Sequence, residues 1–78
     1  MTVEVRLFAT LRRHAPANPN GVLAVDVPEG STVLDVAKAI NIDPNEIHLI
    51  MVNGTGCGFE QAISDGDRIG LFPPVGGG

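Results

Sequence analysis

The chain is 78 residues long, which is enough for one small domain and too short for a conventional catalytic cleft plus a second folding unit. Its five Lys and Arg residues against nine Asp and Glu residues give a net charge of −4, which argues against a nucleic-acid partner because phosphate binding needs positive charge. The single cysteine, Cys57, excludes an internal disulfide, a cysteine-rich zinc site and an iron–sulfur cluster.

The first third of the chain predicts two strands. Apolar residues alternate with other residues from Val3 to Ala9 and again from Leu23 to Val27, which indicates strands with one apolar face. The connection holds a short helical turn within residues 11–17 and then turn residues, so we expect a hairpin. Charges within the first six residues interrupt any apolar run. We therefore expect neither a signal peptide nor a membrane span, and a cytoplasmic location.

A helix is predicted to begin after Thr32, which has the spacing of a capping box with Asp35. Apolar residues then recur with the helical period, at Val33, Val36, Ala37 and Ile40. We expect this stripe to pack on the sheet and Asn41 to end the helix. Residues 43–46 repeat the start pattern, with Asp as cap and Pro at the first helical position, and predict about one further turn.

The second half of the chain predicts the remaining strands. Residues 47–52 are the most continuously apolar stretch, which favours a strand covered on both faces and deep in the sheet. Residues 53–58 are rich in glycine and are interpreted as a hairpin turn, followed by a short extended segment at 59–63. Residues 68–72 predict the last strand. A helix crossing between the second and third long strands lies on one face of a mixed sheet, so the predicted fold is α+β, of the ubiquitin-like β-grasp type.

The chain ends in Pro73-Pro74-Val75-Gly76-Gly77-Gly78, and we expect the domain to occupy residues 1–75 and a flexible tail residues 76–78. The two prolines lack amide hydrogens, so they end sheet pairing and direct the chain outward. Three glycines without Cβ atoms would let a narrow channel of a partner close around bare backbone. A handle for another protein and an ordinary frayed terminus are both compatible with this pattern.

The segment from Asp65 to Val75, followed by a Gly-Gly terminus, resembles the C-terminal signature of the MoaD/ThiS sulfur-carrier family. Its Leu71-Phe72-Pro73-Pro74-Val75 ending is more similar to the branch of the molybdopterin synthase small subunit than to the thiamine branch. The segments Val5-Arg6-Leu7-Phe8-Ala9 and Met51-Val52-Asn53 resemble the same family. The resemblance therefore extends over the whole chain and is most specific at its end.

This resemblance implies that the terminal carboxylate, here on Gly78, is adenylated by an E1-like enzyme that uses ATP and Mg²⁺. A sulfur donor protein would then supply the sulfur of a thiocarboxylate. The acceptor would be the large subunit of molybdopterin synthase, in which the sulfur builds the pterin dithiolene. The chain itself would bind no cofactor and would be a carrier that catalyses nothing alone.

Phe8 and Phe72 have the opposite phase from the apolar rows of the first and last strands. If these strands pair, as the resemblance implies, both rings share the sheet face away from the helix and form a hydrophobic docking surface near the tail. The predicted partner-binding residues are Phe8, Phe72, Pro73, Pro74, Val75, Gly76 and Gly77. Arg12, Arg13 and Arg68 could frame this surface, although an ordinary solvated position explains each of them.

No metal site is expected, because His14 and His48 lack ligand spacing and a tight turn explains Asp65 and Asp67. Other functions remain open from the residues alone. A thiamine-type sulfur carrier would use the same terminus with another partner. A ubiquitin-like modifier would be joined through Gly78 to lysines of target proteins, and a plain interaction module would not use the terminus at all.

Overall fold

The computed structural model describes residues 1–74, which form a five-stranded mixed sheet with one α-helix. The strands are β1 (Thr2–Leu7), β2 (Val22–Asp26), β3 (Leu49–Val52), β4 (Thr55–Cys57) and β5 (Arg68–Phe72). The α-helix is α1 (Val33–Ala39), and two 3₁₀ helices cover Ala9–His14 and Pro44–Glu46. The sheet order is β2-β1-β5-β3-β4; β1 and β5 are parallel, and the other neighbours are antiparallel. The predicted ubiquitin-like β-grasp fold is confirmed.

The core lies between α1 and one face of the sheet. Alternate residues of β1 point to this face, and their burial is almost complete at Val3, Val5 and Leu7. In the parallel pair, Val5 lies beside Ile69 and Leu7 lies beside Leu71, so the two central strands present one continuous aliphatic surface. The helix covers this surface with the fully buried Val33, Val36 and Ala37. Aliphatic packing thus holds the fold of a chain that contains no Trp or Tyr.

The capping box predicted for α1 is present. The Thr32 hydroxyl accepts from the Asp35 backbone N–H at 3.4 Å, and the Asp35 carboxylate accepts from the Thr32 N–H at 2.9 Å. Ile40 follows the last helical residue, and Asn41 adopts a left-handed φ of 59°, which ends the helix where the sequence predicts. Within residues 1–74 no helix has both the length and the apolar character needed to cross a membrane.

The predicted hairpin of β1 and β2 is present, but β1 is shorter than expected. Its apolar alternation was predicted to extend to Ala9, whereas the strand ends at Leu7, because Ala9 has a left-handed φ of 51° and begins the first 3₁₀ helix. Gly21 closes the hairpin connection with φ 75°, and a Cβ there would lie 2.5 Å from the Leu7 carbonyl oxygen. Only glycine therefore fits at this crossing.

The prediction for residues 47–52 is partly wrong. The strand begins at Leu49, and it lies between β5 and β4 in the sheet, but α1 covers only one of its faces. Leu49 is 44% exposed and Met51 is half-buried, whereas Ile50 between them is buried. The central strand is β5. The apolar run at residues 47–52 arises because the uncovered face of this strand is also apolar. The sequence pattern of such a strand is the same as that of a strand buried on both faces, so periodicity alone does not distinguish them.

The predictions for residues 53–58 and 59–63 are also corrected. Asn53 and Gly54 form the turn with φ values of 52° and 83°, and β4 follows at once, pairing with β3. Residues 59–63 are not a sheet strand; Ala62 makes one isolated bridge to Thr32. The segment instead supplies acceptors to the free end of α1, because the Val33 and Leu34 N–H groups donate to the Gln61 and Phe59 carbonyls at 3.0 Å.

Candidate functional site

The sheet face opposite α1, here called the open face, carries two stacked aromatic rings. Phe8 follows β1 and Phe72 ends β5, and the parallel pairing of these strands brings their side chains together. The ring centroids are 4.2 Å apart and the ring planes differ by 5°. Both rings are half-buried. The rings therefore share the face away from the helix, as the sequence analysis expected, and they form a ridge across it.

Gly70 lies beneath this ridge. A Cβ atom at Gly70 would lie 3.4 Å from Cε1 of Phe72, 3.5 Å from Cε2 of Phe8 and 3.8 Å from Cβ of Met51. A Cβ alone would make ordinary van der Waals contacts here, and a larger side chain would fill the space between the rings and Met51. The glycine thus leaves the backbone of the central strand as the floor of a hollow.

On one side of the ridge, an apolar hollow surrounds the point from which the tail leaves the sheet. The hollow has a volume of about 480 Å³ and is lined mainly by Phe8, Leu49, Phe72, Pro73 and Pro74. Two backbone hydrogen bonds fix this corner: the His48 N–H donates to the Phe72 carbonyl at 2.7 Å, and the Phe8 N–H donates to the Leu71 carbonyl at 3.2 Å. The end of β5 is therefore hydrogen-bonded on both sides, beside exposed apolar side chains.

On the other side of the ridge lies a second hollow, here called the Gly70 groove. It has a volume of about 490 Å³, and its lining includes Gly70, Phe8, Phe72, Met51, Asn53, Arg6 and Arg68. The Arg6 Nε donates to the Glu4 carboxylate at 2.8 Å. Within residues 1–74, no side-chain hydrogen bond or ion pair involves the Arg68 guanidinium. The groove is thus apolar on one side and lined on the other by two arginines, of which Arg6 is paired with Glu4.

A polar network fixes the turn beside this groove. Asp67 accepts hydrogen bonds from the Asn53 side chain at 2.9 Å and from the Ser64 backbone N–H at 2.7 Å. These bonds favour the ionised carboxylate and lower the pKa of Asp67. The side-chain oxygen Oδ1 of Asn53 accepts from the Arg68 backbone N–H at 3.0 Å, so the network sets where β5 begins. Asp67 is occupied by these donors, and the prediction of a tight turn at residues 65–67 agrees with this geometry.

Arg12 and Arg13 do not frame the site. The Arg12 Nε lies 3.4 Å from the Leu7 carbonyl, while Arg13 pairs with Glu46, which also lies 3.3 Å from His14. Arg6, and not Arg12 or Arg13, lines the surface beside Phe8 and Phe72. The alternation of β1 places Arg6 on the same face as Phe8, and this signal was available in the sequence.

The remaining candidates carry no additional site in residues 1–74. Cys57 packs partly against the core from β4, and burial raises the pKa of its thiol, which keeps it protonated at neutral pH. No group of three His, Cys, Asp or Glu side chains is arranged to hold a metal ion in this part of the chain. Val75, Gly76, Gly77 and Gly78 lie outside the described residues, as does the predicted boundary at residue 75.

Fold and site together define a small ubiquitin-like β-grasp protein with a largely apolar open face beside the origin of its C-terminal segment. The sequence profile of the ThiS family matches residues 5–78. The chain therefore belongs to the ThiS family, whose members are ubiquitin-fold sulfur carriers or modifiers. No curated protein sequence matches the chain.

Solved structures of similar fold cover nearly the whole chain. A putative molybdopterin converting factor subunit 1 from Pyrococcus furiosus is 27% identical, with a TM-score of 0.74 and coverage of 96% of this chain and 99% of that one. The small archaeal modifier protein 1 from Methanosarcina acetivorans is 28% identical, with a TM-score of 0.72 and coverage of 99% and 96%. A complex of subunits 1 and 2 of the molybdopterin-converting factor from Helicobacter pylori matches in fold, at 21% identity, a TM-score of 0.63 and full coverage of both chains.

Proposed function

We propose that this protein is a sulfur carrier whose C-terminal carboxylate, on Gly78, is adenylated by an E1-like enzyme and converted to a thiocarboxylate. The supporting observation is the course of the chain at its end. The ThiS profile matches through residue 78, whereas the sheet ends at Phe72 beside the apolar open face. Six residues follow the sheet, and fully extended they reach ~20 Å, which is enough to enter a partner's channel while the domain docks outside.

The chemistry explains why activation comes first. A carboxylate is a poor electrophile because its charge repels nucleophiles and oxide is a poor leaving group. Attack of a Gly78 oxygen on the α-phosphorus of ATP, in an enzyme that holds Mg²⁺, releases pyrophosphate and forms an acyl adenylate. A sulfide equivalent from a donor protein then adds to the acyl carbon and AMP leaves, so a C–S bond replaces the bond to the adenylate oxygen. Both ATP and Mg²⁺ belong to the activating enzyme, and a cytoplasmic location supplies them.

We assign the sulfur to molybdopterin synthesis. The Leu71-Phe72-Pro73-Pro74-Val75 ending and the similarity to the molybdopterin converting factor subunit 1 of Pyrococcus furiosus support this branch. In this role the acceptor is a large synthase subunit. Confinement of the thiocarboxylate in that subunit's active site supplies the proximity that the transfer needs. The carrier contributes the tether and its docking surface, and its partner contributes the catalytic groups.

Intact-mass spectrometry tests the proposal directly. The full chain is incubated with an E1-like enzyme, ATP, Mg²⁺ and a sulfur donor, and the expected product has one oxygen replaced by sulfur at Gly78. Deletion of Gly77 and Gly78 should abolish the product while leaving thermal unfolding unchanged. A chain extended by one Ala after Gly78 should also fail. Equal modification of the extended chain without trimming would contradict the proposal.

The similarity to an archaeal modifier protein favours a second candidate, conjugation through Gly78 to lysines of target proteins. In cell extract, conjugation predicts higher-mass adducts that resist thiols, whereas a carrier gives the thiocarboxylate without such adducts.

A thiamine-type carrier would give the same thiocarboxylate mass as a molybdopterin-type carrier. Sulfur transfer to a molybdopterin synthase large subunit distinguishes the two carriers, because only the molybdopterin branch predicts that transfer.

A further inference from the structure

We propose that the outer edge of β2 is a self-association site, at which two copies of the chain pair antiparallel about Val25. An edge strand presents backbone N–H and C=O groups that a further strand can bind. The β2 strand lies at one end of the sheet order, with β1 between it and β5, which leads into the C-terminal segment. The inference is independent of the proposed function, because it depends only on the hydrogen bonds of this edge.

The hydrogen bonds between β1 and β2 show which way each residue of β2 directs its backbone groups. At one end of the pair, Met1 and Val27 exchange two bonds, both of 2.9 Å. At the other end, the Leu7 N–H donates to the Gly21 carbonyl at 2.7 Å. Hydrogen-bonded pairs alternate along an antiparallel ladder, so the odd-numbered residues of β2 bond to β1. The even-numbered residues therefore direct their backbone groups outward, and these residues are Val22, Ala24 and Asp26.

Two of these three residues keep free backbone groups. The Val22 N–H donates to Oδ1 of Asn20 at 3.1 Å, and the Val22 carbonyl accepts from the Asn18 side chain at 2.9 Å. Within residues 1–74, by contrast, no hydrogen bond from any element reaches the outward N–H and C=O groups of Ala24 and Asp26. The free part of the edge is thus a short window at residues 24–26.

This window is complementary to a second copy of itself. In an antiparallel pair centred on Val25, Ala24 of one copy lies opposite Asp26 of the other, and the two residues exchange two backbone hydrogen bonds. The two-fold symmetry repeats this pair, so four hydrogen bonds use every free backbone group of both windows. The next pair in this register sets Val22 opposite Pro28, and it adds no bond because Val22 is already satisfied and proline has no N–H. The window therefore fits a second copy along its whole free length.

The side chains of the window permit this pairing and limit its strength. Ala24 is small and exposed, so it leaves room for the Asp26 side chain of the other copy. The Asp26 carboxylate accepts a hydrogen bond from the Thr2 hydroxyl of its own chain. Each copy has a net charge of −4, so two copies repel one another at low ionic strength. We therefore expect a weak dimer that salt strengthens.

Amide NMR of the full chain, recorded from micromolar to millimolar protein, tests the proposal. The amides of Ala24, Val25 and Asp26 should shift together as the concentration rises, with a lower midpoint in high NaCl because salt screens the repulsion between copies. Sedimentation equilibrium under the same conditions should approach the mass of a dimer. A monomer mass at millimolar protein in high salt, or shifts confined to other residues, would overturn the proposal.

Charge changes at position 24 test the register. Ala24→Lys places a cation opposite Asp26 in both symmetric pairs and should lower the midpoint about fivefold, whereas Ala24→Glu opposes like charges and should raise it by a similar factor. Thr55→Lys and Thr55→Glu make the same changes in net charge at an exposed position of β4, the other edge strand, and should alter the midpoint much less. Equal effects at the two positions would show that net charge alone governs association and would overturn the register.

The enzyme assay keeps this inference separate from the proposed function. Because β1 lies between β2 and β5, a paired copy keeps its C-terminal segment accessible, and Ala24→Glu should leave the rate of Gly78 modification unchanged. Loss of modification in this variant would place the activating enzyme on the β2 edge and overturn the assignment to a second copy. If the wild-type chain is never modified, the proposed function fails, and the concentration series still decides whether the edge pairs with itself.

Discussion

Asp67 shows how one side chain positions the site. Its two carboxylate oxygens bind donors from Asn53 and Ser64, and Asn53 in turn binds the first backbone N–H of β5. Asn53 also holds a left-handed φ of 52°, which its short amide side chain tolerates in the turn. The start of the central strand and the edge of the Gly70 groove therefore depend on this network.

The lowered pKa of Asp67 predicts a pH dependence of stability. Because its pKa in the folded state lies below the ordinary value of 3.8, the carboxylate stabilises the fold above that pH, and this contribution is lost as the pH falls through the folded pKa. Asp67→Asn should lower the urea midpoint at neutral pH, and the difference in midpoint from the wild type should narrow as the pH falls below 3.8. Glu60→Gln, at an exposed position, is the control. An equal difference in urea midpoint at neutral pH and below pH 3.8 would show that the ionised Asp67 carboxylate does not stabilise the fold.

At the scale of elements, α1 is short and depends on its ends. Its seven residues span about two turns, so isolated helix propensity contributes little. The capping box satisfies the Thr32 and Asp35 N–H groups, and the segment at 59–63 accepts from the two N–H groups between them, those of Val33 and Leu34. The segment that sequence analysis assigned to a short extended piece is thus part of the support of the helix.

Thr32→Ala should destabilise the protein by about 1 kcal/mol, because the Asp35 N–H loses its side-chain acceptor. Thr32→Ser keeps the hydroxyl and should recover most of that loss. Urea denaturation followed by far-UV circular dichroism measures both. Equal midpoints for the Ala and Ser variants would show that the hydroxyl does not stabilise the helix.

The β4 strand shows where local preference fails as a guide. Its sequence Thr55-Gly56-Cys57 has low strand propensity, because glycine packs no side chain in a sheet. The tight Asn53-Gly54 turn nevertheless returns the chain against β3, and three register pairs form. Backbone pairing that a turn enforces outweighs the intrinsic preference of the residues involved.

For the whole molecule, the sheet separates a structural face from a face for partners. Leu71 is fully buried against α1, whereas Leu49 is 44% exposed on the open face, although both lie in neighbouring strands. One leucine thus packs in the core, and the other lies on the face that is a candidate interface.

Matched truncations test this division. Leu71→Ala should lower the free energy of unfolding by about 3 kcal/mol, because it leaves a cavity in the core. Leu49→Ala should change it by much less and should weaken binding to the activating enzyme. Chemical denaturation and a binding titration of both variants measure the two effects. A large loss of stability in Leu49→Ala with unchanged binding would contradict the assignment of the open face.

Alternation, helical spacing, caps and turn residues were sufficient to predict the α+β class, β1, β2, β5 and α1, because each of these signals arises from residues within a few positions of one another. The proline–glycine ending and its family resemblance likewise directed attention to Gly78. The pairing of the first and last strands entered through that resemblance and not through periodicity.

Tertiary structure alone decided that β5 is the central strand and that β4 pairs with β3. It also created the ring ridge and the glycine-floored groove, whose residues come from both ends of the chain and its middle. These features depend on the strand order, which is the one that buries the single apolar face of the sheet under one helix. That order involves contacts between distant residues, and no local pattern in the chain records its outcome.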